Sequence, residues 1–427
     1  ITSARGDQFI AGNAFCKNLP NFTAINLMPL SEKNSINLIE NILQKIDAIP
    51  QRLKTIIIKK AEGNPYYIEE IIKDLIERQI ITIEKTEEPS GQIIEKWLID
   101  EYKITDDLGV PETLEGLIQT RIDRLPSEEK ILIQEASVQG KDFWETALIE
   151  FENKAMTGAN SIQFFIPLQQ RISNIQNKEF IFQKPISHFS QDIEYSFKHS
   201  FTRDVVYSTI PGKMRKMYHE TMAGWLEKNT KDRPEENLPL LAFHYENAAL
   251  SEKAMEMYFL AGNYFKINYD NLKAIDLYKK VLELVPIDIT QENPIILRTK
   301  KQLGELLSLV GQYAEADLYL IEVLQKEKIS TEKAELYIKL GKLEELRGDF
   351  NKSLEYYQSA KNEISNLPQD TVSLLIARIY NGIAFAYFRK AETDNALENA
   401  KTALSILENR KTYVRKLDDE KIVAEIA

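Results

Sequence analysis

Leu303 to Val323, LGELLSLVGQYAEADLYLIEV, is the stretch whose reading decides the fold of this chain. Small residues stand at Gly304 and Ala316, and larger apolar ones at Leu303, Leu307, Leu320 and Val323. Gly311 and Tyr313 lie between, where one helical period ends and another begins. Small side chains at these two offsets let a pair of helices approach closely, and the larger ones fill the groove between them. The same arrangement recurs in Tyr258, Ala261, Gly262, Phe265, Ala274, Tyr278 and Val281. It recurs again in Tyr337, Leu340, Gly341, Gly348, Phe350, Ser353, Tyr357 and Ala360, and in Tyr380, Ile383, Ala384, Tyr387, Ala396, Ala400 and Ala403.

Four such units in tandem form the tetratricopeptide pattern, a solenoid of helix pairs. An irregular bundle would not repeat small residues at one offset four times. The units lie 37 to 43 residues apart, against the usual repeat of about 34. Longer connections are therefore expected, as at Glu292-Asn293-Pro294 and Asn366-Leu367-Pro368.

Upstream, Ile193 to Tyr207 (IEYSFKHSFTRDVVY) changes period within fifteen residues. Ile193, Tyr195 and Phe197 alternate as in a strand, then Phe201, Val205 and Val206 take helical spacing, and Pro211-Gly212 closes the run. His199 stands at the change. Glu179–Phe182 is the expected strand partner of Ile193–Phe197, and Ile80–Ile83 pairs with Ile93–Ile99 as a hairpin. Further up, helices are expected from Ser31, from about Leu53, and from Tyr66 to Arg78, with Gly63-Asn64-Pro65 between the last two. More helices start at Pro111 and Pro126, and another carries Leu168, Ile172 and Ile175. Helices and a β-ribbon feeding a further helix make a winged-helix-like domain the expected second element.

The 427 residues are enough for several cores. A net charge of −11 argues against a broad nucleic-acid or anionic-membrane surface. The single Cys16 excludes an internal disulfide framework and fits a reducing compartment. With no signal peptide at the start and no apolar run of membrane-spanning length, a cytoplasmic protein without membrane insertion is expected. The opening ITSAR reads as a strand end, and DDEKIVAEIA stops inside a helical pattern, so a fragment of a longer chain is expected.

A phosphate-binding loop needs glycine five residues before Gly-Lys-Ser/Thr, so that backbone N–H groups can wrap the phosphates. Gly140-Lys141, Gly212-Lys213 and Gly341-Lys342 are preceded there by Glu135, Tyr207 and Leu336 and followed by Asp142, Met214 and Leu343. None qualifies, so these residues alone are not expected to hydrolyse a nucleotide, and no catalytic residue is assigned. The histidines His188, His199, His219 and His244 lack ligand-pair spacing, so no metal site is expected. On local chemistry, Gly63-Asn64-Pro65 serves as a helix stop before a proline at the first helical position. Likewise Arg5 serves as a loop arginine and His199 as a capping or core residue.

Taken together, AEGNPYYIEEIIKDLI (61–76), VPETLEGLIQTRIDRLPSEEKILIQEASVQGKDF (110–143) and IEYSFKHSFTRDVVYSTI (193–210) resemble the ATPase module of STAND-type (AAA-like) signalling proteins. In some bacterial class III adenylate/guanylate cyclases this module follows the catalytic domains and precedes tetratricopeptide repeats, whose start LLAFHYENAALSEKAMEMYFLAGNYF (240–265) resembles. Related modules also stand behind kinase domains and in large transcription activators. The resemblance implies a mainly α chain: the end of an α/β ATPase core over 1–29, a helical lid over 30–83, a winged-helix-like domain over 84–229 and a tetratricopeptide array over 230–427. It implies that Arg5 is a sensor arginine near the γ-phosphate. Pro65 would pack on the adenine, with Gly63 leaving room and Asn64 between them, and His199 would approach the β-phosphate of ADP. The family's frequent Asp after that histidine is Ser200 here.

The function so implied is that of the regulatory and protein-interaction arm of a nucleotide-switched signalling ATPase. The intact protein would bind ATP or ADP with Mg2+, no nucleotide binding tightly to this stretch alone. Partners would be its own upstream ATPase and output domains and a protein or peptide on the repeats. The alternatives are a docking scaffold without nucleotide dependence and a winged-helix DNA reader, the last disfavoured by the acidic balance and the lack of a basic recognition helix.

Overall fold

The computed structural model describes residues 27–46, 48–87, 93–105, 108–157, 163–189, 191–230, 234–285 and 293–408. The chain is mainly helical and divides into two compact units, one formed by residues 1–145 with 163–210, the other by residues 146–162 with 211–427.

The first unit begins with three helices, α1 (Glu32–Ile42), α2 (Gln51–Ala61) and α3 (Pro65–Glu77). Ser31 caps α1 by accepting from the Asn34 amide at 3.3 Å. Apolar positions at helical spacing place Ile39, Leu43, Leu53, Ile57, Ile68, Ile71, Ile72 and Leu75 in one core. Strands β1 (Ile81–Glu87) and β2 (Ile93–Ile99) pair antiparallel with Ile81 opposite Ile99, as their alternation predicts. Next come α4 (Leu114–Asp123), α5 (Ser127–Gln139), β3 (Asp142–Trp144), α7 (Leu168–Asn177), β4 (Ile181–Gln183), β5 (Glu194–Phe197) and α8 (Ser200–Ser208); α6 (Glu145–Thr157) intervenes after β3. The helix expected from Pro111 starts three residues later, because Thr113 supplies the cap that the Gly116 amide needs.

The expected β4–β5 pairing is present, with Ile181 opposite Phe197. On the other side of β5 lies β3, which sequence periodicity does not reveal because three residues are too few for alternation to show. Its Phe143 stacks on Tyr195 at 5.6 Å and tilts against Phe197 at 5.5 Å. These ring contacts bind the strand into the core.

In the second unit, α9 (Gly212–Asn229) carries Tyr218 edge-on to Phe151 of α6 and Trp225, whose indole N–H donates to Thr146 at 3.2 Å. Pro211 thus ends one helix and opens the next. Helix α10 (Pro234–Asn247) then runs through Pro239. Pro239 forgoes only one backbone hydrogen bond near the helix start.

The array follows as hairpins: α11 (Ser251–Ile267) with α12 (Asn271–Glu283), α13 (Pro294–Leu309) with α14 (Tyr313–Lys326), α15 (Ser330–Arg347) with α16 (Phe350–Glu363), and α17 (Gln369–Arg389) with α18 (Thr393–Glu408). Each small residue does what its offset predicts. A Cβ on Gly262 would lie 2.5 Å from the Tyr278 ring, one on Gly304 2.8 Å from Leu320, and one on Gly341 2.9 Å from Tyr357. The second hairpin helix therefore presses its large residue onto bare backbone of the first. This is a tetratricopeptide-like solenoid with short turns inside each hairpin, as at 268–270 and 310–312, and with the first helix of each hairpin longer than the second.

Lysines and glutamates join successive first helices of the array. Lys266 meets Glu305 at 2.8 Å, Lys339 meets the other oxygen of Glu305, and Lys301 meets Glu332 at 2.7 Å. Burial works against the charge on Glu305, yet Lys339 and Lys266 outweigh it and hold its carboxyl below the ordinary range. Thr371–Arg389 has the length and apolar character of a membrane span, contrary to the sequence reading. Its Val372, Ile379 and Ile383 are taken up by a repeat core that includes Ile338 and Tyr357.

Tyr357 is packed against two helices, since a Cβ on Gly382 would lie 2.3 Å from its ring as well. Replacing Tyr357 by Ala is expected to cost about 3–5 kcal/mol, and Gly382→Leu about 1–3 kcal/mol by overpacking. Urea unfolding followed by circular dichroism measures both.

Candidate functional site

The residues singled out in the sequence converge on the first turn of α3. Helix α2 ends with Glu62 and Gly63 both left-handed, at φ 49° and 76°. At Gly63 a side chain is excluded twice over, by that φ and by the Leu30 carbonyl oxygen 2.4 Å from where a Cβ would stand. The Leu30 amide donates to the Gly63 carbonyl at 2.8 Å, fixing the chain entering α1 against the α2–α3 corner. Asn64 then caps α3, its side-chain oxygen accepting from the amides of Tyr66 (3.0 Å) and Tyr67 (3.3 Å). Pro65 occupies the first helical position, where its missing N–H is no loss.

His199 occupies the N-cap position of α8 with extended backbone, but its imidazole makes no capping bond. The ring instead lies over Tyr66, centroids 3.8 Å apart and planes 32° inclined. The Tyr66 hydroxyl reaches past it to the Thr202 hydroxyl, one turn into α8. Burial pushes the Tyr66 phenol up, with Glu70 adding to the effect. For His199, burial is the largest effect and Lys73 the next, and both push the imidazole below its ordinary value; Lys198 and Lys141 act the same way and Glu70 against them. Its Nε2 is buried with no hydrogen-bond partner among the described residues.

Around this contact, α3 is bolted to α4. Arg121, 2% exposed, donates to Glu70, to Glu77 (3.0 Å from Nε) and to the Lys178 carbonyl at 3.0 Å, while the Phe180 ring lies under the guanidinium at 4.6 Å. Burial opposes the charge, but Glu77 and Glu70 outweigh it and hold the group above its ordinary value. One turn on, fully buried Asp74 takes Arg124 and, at 3.2 Å, Arg78, which also donates to the Leu108 carbonyl at 2.6 Å. Lys73 joins Glu70 (2.8 Å) to Glu179 (3.2 Å), and Lys198 joins the same Glu179 at 2.7 Å. The Tyr67 hydroxyl donates to the Pro111 carbonyl.

Thus Asn64, Pro65 and His199, remote in sequence, belong to one neighbourhood through Tyr66. Arg5 lies outside the described residues. Residue patterns alone did not single out Tyr66, Arg121 or Glu70. The one available signal was the polar pair Glu70 and Asp74 on an otherwise apolar helix face. Two other histidine contacts also went unread. His219 and His244, both buried, bring their Nδ1 atoms to 2.9 Å, and exposed His188 meets buried Glu194 at 2.8 Å. Among the described residues no cluster of three metal-ligating side chains forms.

Residues 31–88 match a domain family of unknown function (DUF8739). No curated protein matches the chain. Among solved structures, similarity extends to a signal transduction ATPase with numerous domains and a tetratricopeptide repeat sensor from Pyrococcus horikoshii, at 15% identity and TM-score 0.41. That match covers 92% of this chain and 50% of the other, so this chain spans half its length. BtubC (BKLC) from P. vanneervenii is similar at 16% identity and TM-score 0.39, over 50% of this chain and 88% of the other. MamA from Desulfovibrio magneticus RS-1 is similar at 16% identity and TM-score 0.33, over 46% and 98%.

Arg121→Ala strands two carboxylates, one of them buried, and is expected to cost about 3–5 kcal/mol in chemical denaturation. Arg121→Met with Glu70→Gln should recover part of it. For His199, a folded value below the unfolded one means stability held at high pH and lost as pH falls below about 6.5. His199→Gln should flatten that limb of a melting-temperature profile.

Proposed function

We propose that this chain is the regulatory and protein-interaction arm of a nucleotide-switched signalling ATPase, with α1–α3 as lid, the β3–β5–β4 sheet and its helices as a winged-helix-like domain, and the hairpin array as partner surface. The observation that carries the proposal is the Tyr66 contact, by which the Gly63-Asn64-Pro65 corner and His199 meet although 134 residues separate Pro65 from His199.

The local chemistry suits a nucleoside diphosphate. Pro65, exposed at the first position of α3, offers an apolar face of the kind that takes a purine ring, while the space beside Gly63 is taken by Leu30. The α8 N-terminus lacks a side-chain cap, and such ends favour anions. His199, with cationic Lys73, Lys198 and Lys141 near enough to depress it, can donate to a phosphate oxygen. In this reading ADP bridges the lid corner and the start of α8, and the upstream ATPase core, including Arg5, holds the rest of the nucleotide with its Mg2+. Exchange for ATP, or a partner on the array, releases that hold and alters an upstream output domain such as a nucleotide cyclase. The switch operates only through the difference in affinity of each ligand for the held and released states.

A second reading, a docking scaffold without nucleotide dependence, is favoured by the complete local account of the corner. Gly63 meets Leu30, Asn64 caps and Pro65 starts a helix. A DNA-reading role has no comparable support, given the net charge of −11.

Intact protein purified without added nucleotide is expected to carry ADP, released on denaturation and identified by chromatography. His199→Ala and Pro65→Ala should lower ADP affinity at least several-fold and raise basal output. Nucleotide-free protein whose output ignores both substitutions would establish the scaffold reading instead.

A further inference from the structure

His199 has two possible masters: the backbone of its own helix, which it caps in position only, and Tyr66, which it touches. The imidazole forms no bond to the α8 amides. Its ring is covered by Tyr66 at 3.8 Å. Tyr66 also fastens Thr202, 4% exposed, so one phenol grips both the cap residue and the first turn of α8. Of the charged groups around the imidazole, Lys73 is committed to Glu70 and Glu179 and Lys198 to Glu179, and exposed Lys141 completes the set. None of these supplies a hydrogen bond to the ring. Tyr66, in turn, follows Pro65 directly and is oriented by Asn64, which accepts its amide. A displacement of the Gly63-Asn64-Pro65 corner therefore moves Tyr66, and with it the surface against which His199 rests.

We infer that Tyr66 is the positioning residue that sets the orientation and protonation of His199, so that the lid corner and the start of α8 sense each other through one stacked pair. The coupling rests on the nucleotide reading for its purpose, though not for its existence. By linkage, a ligand that displaces Tyr66 on binding the corner shifts the titration of His199, and the protonation of His199 shifts that binding by the same factor.

The chain has only four histidines, so carbon-13 labelling at histidine gives an NMR titration with one curve each, that of His199 assigned by its loss in His199→Gln. In the full chain Tyr66→Ala should shift the His199 midpoint upward toward the ordinary imidazole value, because the ring is uncovered. Tyr66→Phe keeps the stack and loses only the bond to Thr202, so it should shift the midpoint upward by less than Tyr66→Ala does. Thr202→Val, which removes only the hydroxyl partner, should give a smaller upward shift. The curves of His188, His219 and His244 serve as the check on folding. If Tyr66→Ala unfolds the chain, the Thr202→Val comparison decides. A His199 midpoint indifferent to Tyr66→Ala in folded protein, or to Thr202→Val where Tyr66→Ala does not fold, overturns the inference. Adding ADP to the intact protein, upstream ATPase core included, separates the two ideas. A His199 midpoint raised by ADP in the unsubstituted chain and unmoved in Tyr66→Ala supports both. One that responds to Tyr66→Ala but not to ADP leaves the positioning role standing and removes the nucleotide.

Discussion

A buried guanidinium governs the first unit. Arg121 is almost wholly removed from water, and its charge is tolerable only because Glu70, Glu77, the Lys178 carbonyl and the Phe180 ring together replace the lost hydration. Those partners come from α3 and from the α7–β4 turn, and Arg121 itself from α4. Satisfying one cation therefore specifies how three segments meet. Asp74, with Arg124 and Arg78, repeats the arrangement a turn further along α3. A purely apolar interface could slide, whereas fixed donors and acceptors permit one register. The Tyr66–His199 contact lies at the end of this same helix and inherits its precision.

The second unit is organised by volume instead. Its hairpins close because bare backbone at Gly262, Gly304 and Gly341 receives Tyr278, Leu320 and Tyr357, and any added Cβ would collide. Charge then dresses the first helices without directing them. Glu305 serves Lys266 from one neighbour and Lys339 from the other, linking three successive hairpins through one carboxylate. Partly exposed pairs of this kind contribute little individually, so the apolar cores carry the stability and the ion pairs adjust the fit between neighbours.

The contrast explains what could be read in advance. Volume leaves a one-dimensional trace, since a glycine sixteen residues before a large residue recurs in the first three hairpins, and the array was legible from Leu303–Val323 outward. Strand pairing of β1 with β2 and β4 with β5 was equally legible from alternation, whereas β3 was too short to show a period. Apolar residues shared with neighbouring repeats give Thr371–Arg389 the character of a membrane span when the helix is viewed alone.

What the amino-acid sequence determined by itself was local: the caps at Ser31 and Asn64, the corner at Gly63, the strand-to-helix change at His199, and the repeating hairpin. Each depends on residues within a few positions or at a fixed offset. Only the tertiary structure decided that Tyr66 covers His199, that Arg121 is the shared partner of Glu70 and Glu77, and that His219 meets His244. Those contacts join side chains from separate elements, and nothing in the order of residues along the chain ranks one distant acidic partner above another. Burial does, because a charge or a ring nitrogen removed from water must be accommodated by whichever groups the folded chain brings within reach.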